Sequence, residues 1–268
     1  MFKKGAFSLA ALAATLFVCA TASKPVAGQA GGGTIVGHVK YMGATPVNPL
    51  IRMGADPRCN KLYVGKRPTS PTVVVGAGGG LQSAFVELQG SFPATPAPTT
   101  PAVMDQKDCM FAPHMIGARI GQTLQVKNTD ITGHNVHSLS MAGNEFNTSQ
   151  PTAGMVFEYK LKAGEMLHLK CDIHSWMSGY VAIVDNPYYA VSAADGSFTI
   201  ANVPAGKQTV AVWHEALGMQ TQMVDVQAGK TTTVDFTYMP GQKPTASLTI
   251  HELNVPAEAK MVSIAMLR

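Results

Sequence analysis

The stretch Glu165-Met166-Leu167-His168-Leu169-Lys170-Cys171-Asp172-Ile173-His174-Ser175-Trp176-Met177 changes character half-way along. Glu165, Leu167, Leu169 and Cys171 fall on one side and Met166, His168 and Lys170 on the other, the two-residue period of a half-buried β-strand. The alternation then stops, and Cys171, His174 and Met177 follow one another at intervals of three on a segment that reads as a loop. A thiolate, an imidazole and a thioether spaced this closely can face one ion. Soft thiolate with imidazole and a weak axial thioether suits copper. Such a site needs a second imidazole. A second alternating stretch supplies one: Leu124 and Val126 against Gln125 and Lys127 run into Asn128-Thr129-Asp130-Ile131-Thr132-Gly133-His134-Asn135-Val136-His137. His134 and His137 are rivals for the role, and strand alternation sends them to different faces.

Outward from these two stretches the same period recurs. Thr34–Tyr41, Val73–Val75 and Ala84–Leu88 read as strands, the last two split by the glycine run Gly76–Gly80. Met155, Phe157, Tyr159 and Leu161 alternate with Val156, Glu158 and Lys160, and Tyr180–Val184 is another apolar run. Ser91–Pro101 is a Pro/Thr/Ala loop, extended and exposed by composition. Beyond Asp185-Asn186-Pro187, the turns Asp195-Gly196, Pro204-Ala205-Gly206 and Ala228-Gly229-Lys230 separate Phe198–Val203, Val210–Trp213, Val224–Val226 and Val234–Tyr238. Many short strands between Gly/Pro turns indicate an all-β chain of sandwich type. Its 268 residues suffice for two domains. No heptad and no collagen-like period is present, and 46% apolar residues against 13% charged exclude a disordered chain.

Residues 1–22 read as a secretory signal: Lys3 and Lys4, an apolar run from Gly5 to Ala20, and the cleavage site Ala20-Thr21-Ala22, with a cut after Ala30 as the alternative. The run is short for a bilayer span, and Val18 before Cys19 argues against lipidation. Cleavage lowers the formal charge of +4 to +2 or less, so the basic pI points to no nucleic acid. It also removes Cys19 and leaves an odd set, Cys59, Cys109 and Cys171, in a compartment where thiols oxidise. The expected location is periplasmic or secreted, without an integral membrane span.

Gly133-His134-Asn135-Val136 with Cys171-x2-His174 and Met177 downstream resembles the cupredoxin family of plastocyanin, pseudoazurin and azurin, over about residues 103–185 and less firmly the strands from 34 to 90. The resemblance implies a Greek-key β-sandwich that holds one copper ion, cycling between Cu(I) and Cu(II), and passes single electrons to a redox partner such as a periplasmic cytochrome or oxidoreductase. It makes His134, Cys171 and His174 the trigonal ligands and Met177 the axial one, with Asn135 holding the ligand loop and His137 and Trp176 as neighbours or alternatives. It also implies a ligand His near the surface as the electron exit. The interval between His174 and Met177 is shorter than plastocyanin-like loops usually have. It resembles the ligand loop of the binuclear copper centre of respiratory oxidases, but the second loop Cys of that centre is absent, so one ion is expected. With Cys171 assigned to copper on this resemblance, Cys59 and Cys109 are expected as a disulfide; a second metal site with Cys109 and His114 is the alternative.

Asp195-Gly196, Phe198, Ile200, Val203-Pro204, Gly206 and Val210 resemble the carboxypeptidase regulatory-like, transthyretin-like β-sandwich, a module without catalytic residues. The combination resembles plastocyanin-like bacterial proteins, some labelled methylamine-utilisation proteins. The expected division is a signal at 1–22, a cupredoxin domain at 31–185 with an N-terminal β extension, a smaller transthyretin-like domain at 186–240 and a tail at 241–268, with a candidate strand at Ala246–Ile250. His168 and His38 read as structural or solvated, and Trp213-His214-Glu215 as a surface corner, with packing near the copper end as the alternative. The fifteen Met residues form no clusters. An enzyme is the weakest reading, because catalytic copper needs an open position or a second centre and no G-x-S-x-G or H-E-x-x-H occurs. A single-electron carrier is the expected function, with copper holding or trafficking as the alternative.

Overall fold

The structure, a computed structural model, describes residues 31–241; the expected signal and the candidate strand Ala246–Ile250 lie outside the described residues. In chain order, β1 (Gly33–Tyr41) is followed by a long connection that carries the short helix α1 (Pro57–Leu62), then by β2 (Phe85–Gln89). Nine strands come next: β3 (Ala102–Lys107), β4 (Met110–Ala112), β5 (Met115–Arg119), β6 (Thr123–Asn128), β7 (His134–Leu139), β8 (Asn147–Gln150), β9 (Val156–Lys160), β10 (Glu165–Lys170) and β11 (Ser178–Val184). The last six are β12 (Tyr189–Val191), β13 (Ser197–Val203), β14 (Gly206–His214), β15 (Gly218–Val226), β16 (Thr231–Thr233) and β17 (Phe236–Tyr238). The fold is all-β, and among the described residues no helix is long and apolar enough to cross a membrane.

Strands β3 to β11 form one sandwich. One sheet runs β4-β3-β6-β9 and the facing sheet β5-β11-β10-β7-β8. The chain leaves β6, makes the β7–β8 hairpin in the opposite sheet, returns as β9 beside β6 and crosses again to place β10 beside β7. This Greek-key winding also makes two parallel pairs, β3 with β6 and β5 with β11. Alternation dictates which side chains meet: Leu167, Leu169 and Cys171 from β10 and its end, Leu124 and Val126 from β6, and Val136 from β7 share one buried core.

The remaining strands form a second sandwich, and here the strand pairing departs from the expected division. β1 pairs with β13, β16 and β17, and β2 pairs with β12 and β14. Both N-terminal strands, expected as an extension of the 31–185 unit, thus belong to the sheets formed by residues beyond 186. Ile35 and Val39 of β1 and Val86 and Leu88 of β2 are buried with Phe198, Val210 and Phe236. The physical reason is that alternation gives a strand its buried face but not its hydrogen-bonding partner. The Greek-key sandwich is an insertion between two paired strands: the chain leaves at the end of β2 and returns at β12, where the Leu88 amide donates to the Tyr188 carbonyl at 3.0 Å. Phe85, Met115, Ala182 and Val184, with Tyr189 and Trp213, join the two sandwiches in a small apolar cluster.

Two turns show why the local sequence folds this way. Asp195-Gly196 opens β13: the Asp195 carboxylate accepts from the Ser197 amide at 3.0 Å, and Gly196 takes φ +79° against the Val39 carbonyl, where a Cβ would sit 2.2 Å away. Between β3 and β4, Asp108 and Cys109 both hold φ +55° without being glycine. Such backbone persists only when its surroundings over-determine it. The Asp130 carboxylate does so here, accepting from the Asp108 amide at 2.7 Å and the Cys109 amide at 2.8 Å.

Candidate metal centre

β10 delivers Cys171 to one end of the Greek-key sandwich. The loop after it closes on itself, the Met177 amide donating to the His174 carbonyl at 2.9 Å and the Cys171 amide facing the Met177 carbonyl at 3.4 Å. This turn buries Cys171, His174 and Met177 while Asp172, Ile173 and Ser175 stay exposed. β7 brings His134 to the same end. The preceding loop is held by Asn128, fully buried, whose amide group donates to the Thr132 and Gln150 carbonyls at 3.0 and 2.9 Å and whose oxygen accepts from the Asp130 amide at 3.0 Å.

The result is a buried trio. The Nδ1 atoms of His134 and His174 face each other at 3.0 Å, and Cys171 Sγ lies 3.8 Å from His174 Nδ1. The Asn135 and His174 amides both donate to the sulfur at 3.4 Å. The other nitrogen of each ring has a carboxylate: His134 Nε2 lies 2.8 Å from Asp130 and His174 Nε2 3.0 Å from Asp56. Metal-binding imidazoles characteristically give their outer N–H to a carboxylate, which fixes the ring and turns the other nitrogen inward. Donor atoms bound to one ion at about 2.0–2.3 Å stand roughly 3–4 Å apart, and these spacings fit.

The electrostatics agree with the geometry. Burial disfavours a Cys171 thiolate, but hydrogen bonds from His134, His174 and the two amides outweigh it and bring the thiol down to about 6. Burial likewise disfavours charge on His134, yet Asp130 and the Cys171 sulfur raise it to about 9. The same balance raises His174, through Cys171 and Asp56. The environment thus favours the thiolate, the form in which a cysteine binds a metal ion.

The structure sorts the residues expected at this site. His134 is fully buried in the trio, whereas His137 faces away, half-exposed, with its Nδ1 3.0 Å from Asp172. Asn135 ties the ligand loops together: its oxygen accepts from the Asp172 amide at 3.0 Å and its amide group donates to Asn147. Trp176 packs its ring 5.0 Å from that of His174 and donates to the Cys109 carbonyl at 3.0 Å. Cys59 and Cys109 are bonded, S–S 2.01 Å, and His114 pairs with Glu215 instead of a cysteine. His214 is buried, not at a surface corner, and burial lowers it to about 4. His174, the ligand expected near the surface, is itself only 2% exposed. Asp56 and the segment around it cover its edge.

Asp56 and Asp130 went unread in the sequence. Asp56 had a local signal, since Asp-Pro is a helix start: its carboxylate caps α1 by accepting from the Arg58 and Cys59 amides, with Pro57 in the first turn. Nothing local announces that its second oxygen meets His174, 118 residues away.

These features define an all-β protein with a Greek-key sandwich carrying a buried Cys-His-His group, inserted into a second sandwich. Residues 180–239 match the carboxypeptidase regulatory-like domain family. Among solved structures, the chain is similar to a purple cupredoxin from Nitrosopumilus maritimus (20% identity, 31% of this chain and 98% of that one, TM-score 0.27). It is also similar to a reduced variant of amicyanin (17%, 37% and 97%, TM-score 0.29) and to a copper-containing nitrite reductase from Thermus scotoductus SA-01 (16%, 35% and 24%, TM-score 0.28). No curated protein matches the chain.

Proposed function

We propose that this chain is an exported, mononuclear copper protein that carries single electrons, with His134, Cys171 and His174 as equatorial ligands and Met177 as the weak axial one. The observation that carries the reading is the convergence of a low-pKa buried thiol and two Nδ1 atoms whose rings are each oriented by a carboxylate. Copper bound there supplies a one-electron couple. The residues supply a buried pocket, and the Asn135 and His174 amides that donate to the sulfur would tune the potential. On this reading Met177 completes the donor set and His174 is covered, an arrangement that suits exchange of electrons with another redox protein better than catalysis at an open metal position. The same covering, His174 at 2% exposure, favours a second reading: copper holding without redox turnover.

Loading the chain with Cu(II) and recording visible and electron-spin-resonance spectra tests this. A strong thiolate-to-copper band is expected, lost in Cys171→Ser. A colourless wild type that binds Cu(II) tightly overturns the electron carrier in favour of copper holding.

A further inference from the structure

The connection between β1 and β2 belongs by chain order to the second sandwich, yet its middle serves the first. Asp56 gives one carboxylate oxygen to the amides that start α1 and the other to Thr132 Oγ1 at 2.9 Å and His174 Nε2 at 3.0 Å. Arg58 reaches the Ile131 carbonyl at 3.1 Å, and the Tyr63 hydroxyl donates to the Asp108 carbonyl at 2.9 Å. Cys59 is bonded to Cys109, and its sulfur lies 3.7 Å from the same His174 Nε2. The links end on the loops that carry His134 and His174 and on the Asp108-Cys109 turn, whose amides share the Asp130 carboxylate with His134. The apolar side chains of the segment take no part in the second sandwich's core: Met53, Cys59, Ile51 and Tyr63 cluster with Cys109, Met110 and Trp176.

We propose that residues 44–70 are a working part of the metal centre, in which Asp56 is the positioning residue for His174 and the Cys59–Cys109 bond is the tether that keeps this imidazole edge closed to solvent and to redox partners. The inference rests on the copper reading and adds to it a route. An Nε2–H held by Asp56 leaves Nδ1 as the only nitrogen of His174 free to bind the ion. With the outer edge of the ring closed by Asp56 and Cys59, electrons pass on the Cys171 side, where Asp172 and Ile173, 57% exposed, lie one and two residues from the sulfur-bearing residue. The β1–β2 connection is then no passive linker, since it contributes a side chain that orients a ligand of the Greek-key sandwich.

Two variants of the full chain test this. Asp56→Asn keeps a good helix cap but removes the charge that holds His174. Cys59→Ala/Cys109→Ala cuts the tether. In the metal-free chain, nitrogen-15 spectra read the exchange of the His174 Nε2 proton with water, which is expected to be slow in the wild type and accelerated severalfold in the tether variant. In the loaded chain, competition with a chelator is expected to show copper affinity falling about tenfold or more in Asp56→Asn. Oxidation of the Cu(I) protein by a small inorganic complex is expected to speed up severalfold when the tether is cut. Wild-type affinity and proton exchange in both variants, with the thiolate-to-copper band intact, overturn the proposal. A wild type that shows no such band overturns the copper reading itself, and with it this inference.

Discussion

The tether has a stability consequence that can be worked out from its position in the chain. Cys59 and Cys109 are 50 residues apart. In the chain-entropy account a cross-link closing a loop of that length removes about 14 cal/mol/K from the unfolded ensemble, or about 4 kcal/mol at 25 °C. Both residues are fully buried, so alanine rather than serine is the cleaner replacement, since a buried hydroxyl adds its own desolvation cost. Cys59→Ala/Cys109→Ala is therefore expected to lose about 4 kcal/mol in urea unfolding of the metal-free chain, and its Tm to fall by roughly 10 °C. The m-value should rise, because an uncrosslinked unfolded chain exposes more surface. The native-state links of the same segment, from Arg58, Tyr63 and Asp56, survive in the variant and do not offset an effect that acts through the unfolded state. A loss below about 1 kcal/mol at unchanged m refutes the reasoning. It would mean that the unfolded chain holds positions 59 and 109 together without the bond.

Three further outcomes follow from single residues. Asp130→Asn is expected to weaken copper binding about 10–100-fold and to cost about 1–3 kcal/mol, because one carboxylate serves His134 and both amides of the left-handed Asp108-Cys109 turn; chelator competition and urea unfolding read the two effects separately. Gly37→Ala is expected to cost about 3 kcal/mol, since its Cβ would lie 1.7 Å from the Val234 carbonyl oxygen, whereas Gly54→Ala, with no atom within 4 Å, is expected to be nearly neutral in the same unfolding assay. Burial, with the charge of Asp185 adding to it, raises the Glu87 carboxyl from 4.5 to about 7. The folded chain then keeps a proton that the unfolded chain loses between those values, so this group's contribution falls as pH rises through that window, by at most about 3 kcal/mol. Glu87→Gln is expected to remove that slope from a stability–pH profile.

Much of the Greek-key sandwich was legible in the sequence because its signals are local. Leu167, Leu169 and Cys171 declare a buried strand face by alternation alone, and the change to intervals of three after Cys171 marks the loop that turns His174 and Met177 back toward the sulfur. Alternation separates His134 from His137, since two residues three apart on a strand face opposite ways, but the choice of His134 rested on the resemblance carried by Gly133-His134-Asn135. The loop partner Asn128 and the orienting Asp130 sit within six residues of His134 and lay within reach of a closer reading of that loop.

What the sequence did not yield is all long-range. β1 alternates equally well whether it borders the Greek-key sandwich or pairs with β13, and its true neighbours lie more than 150 residues downstream. The cover over the His174 edge went unread for a related reason. The residues that cover it come from a connection whose composition, rich in Pro, Arg and Lys, reads as surface loop. Asp56 illustrates the limit: one of its two oxygens performs a local task that an Asp-Pro helix start announces, and that sufficient local role hides the distant one. A carboxylate has more acceptor sites than a helix cap uses, so a capping Asp at the edge of a ligand cluster is the place where a second, non-local partner should be sought.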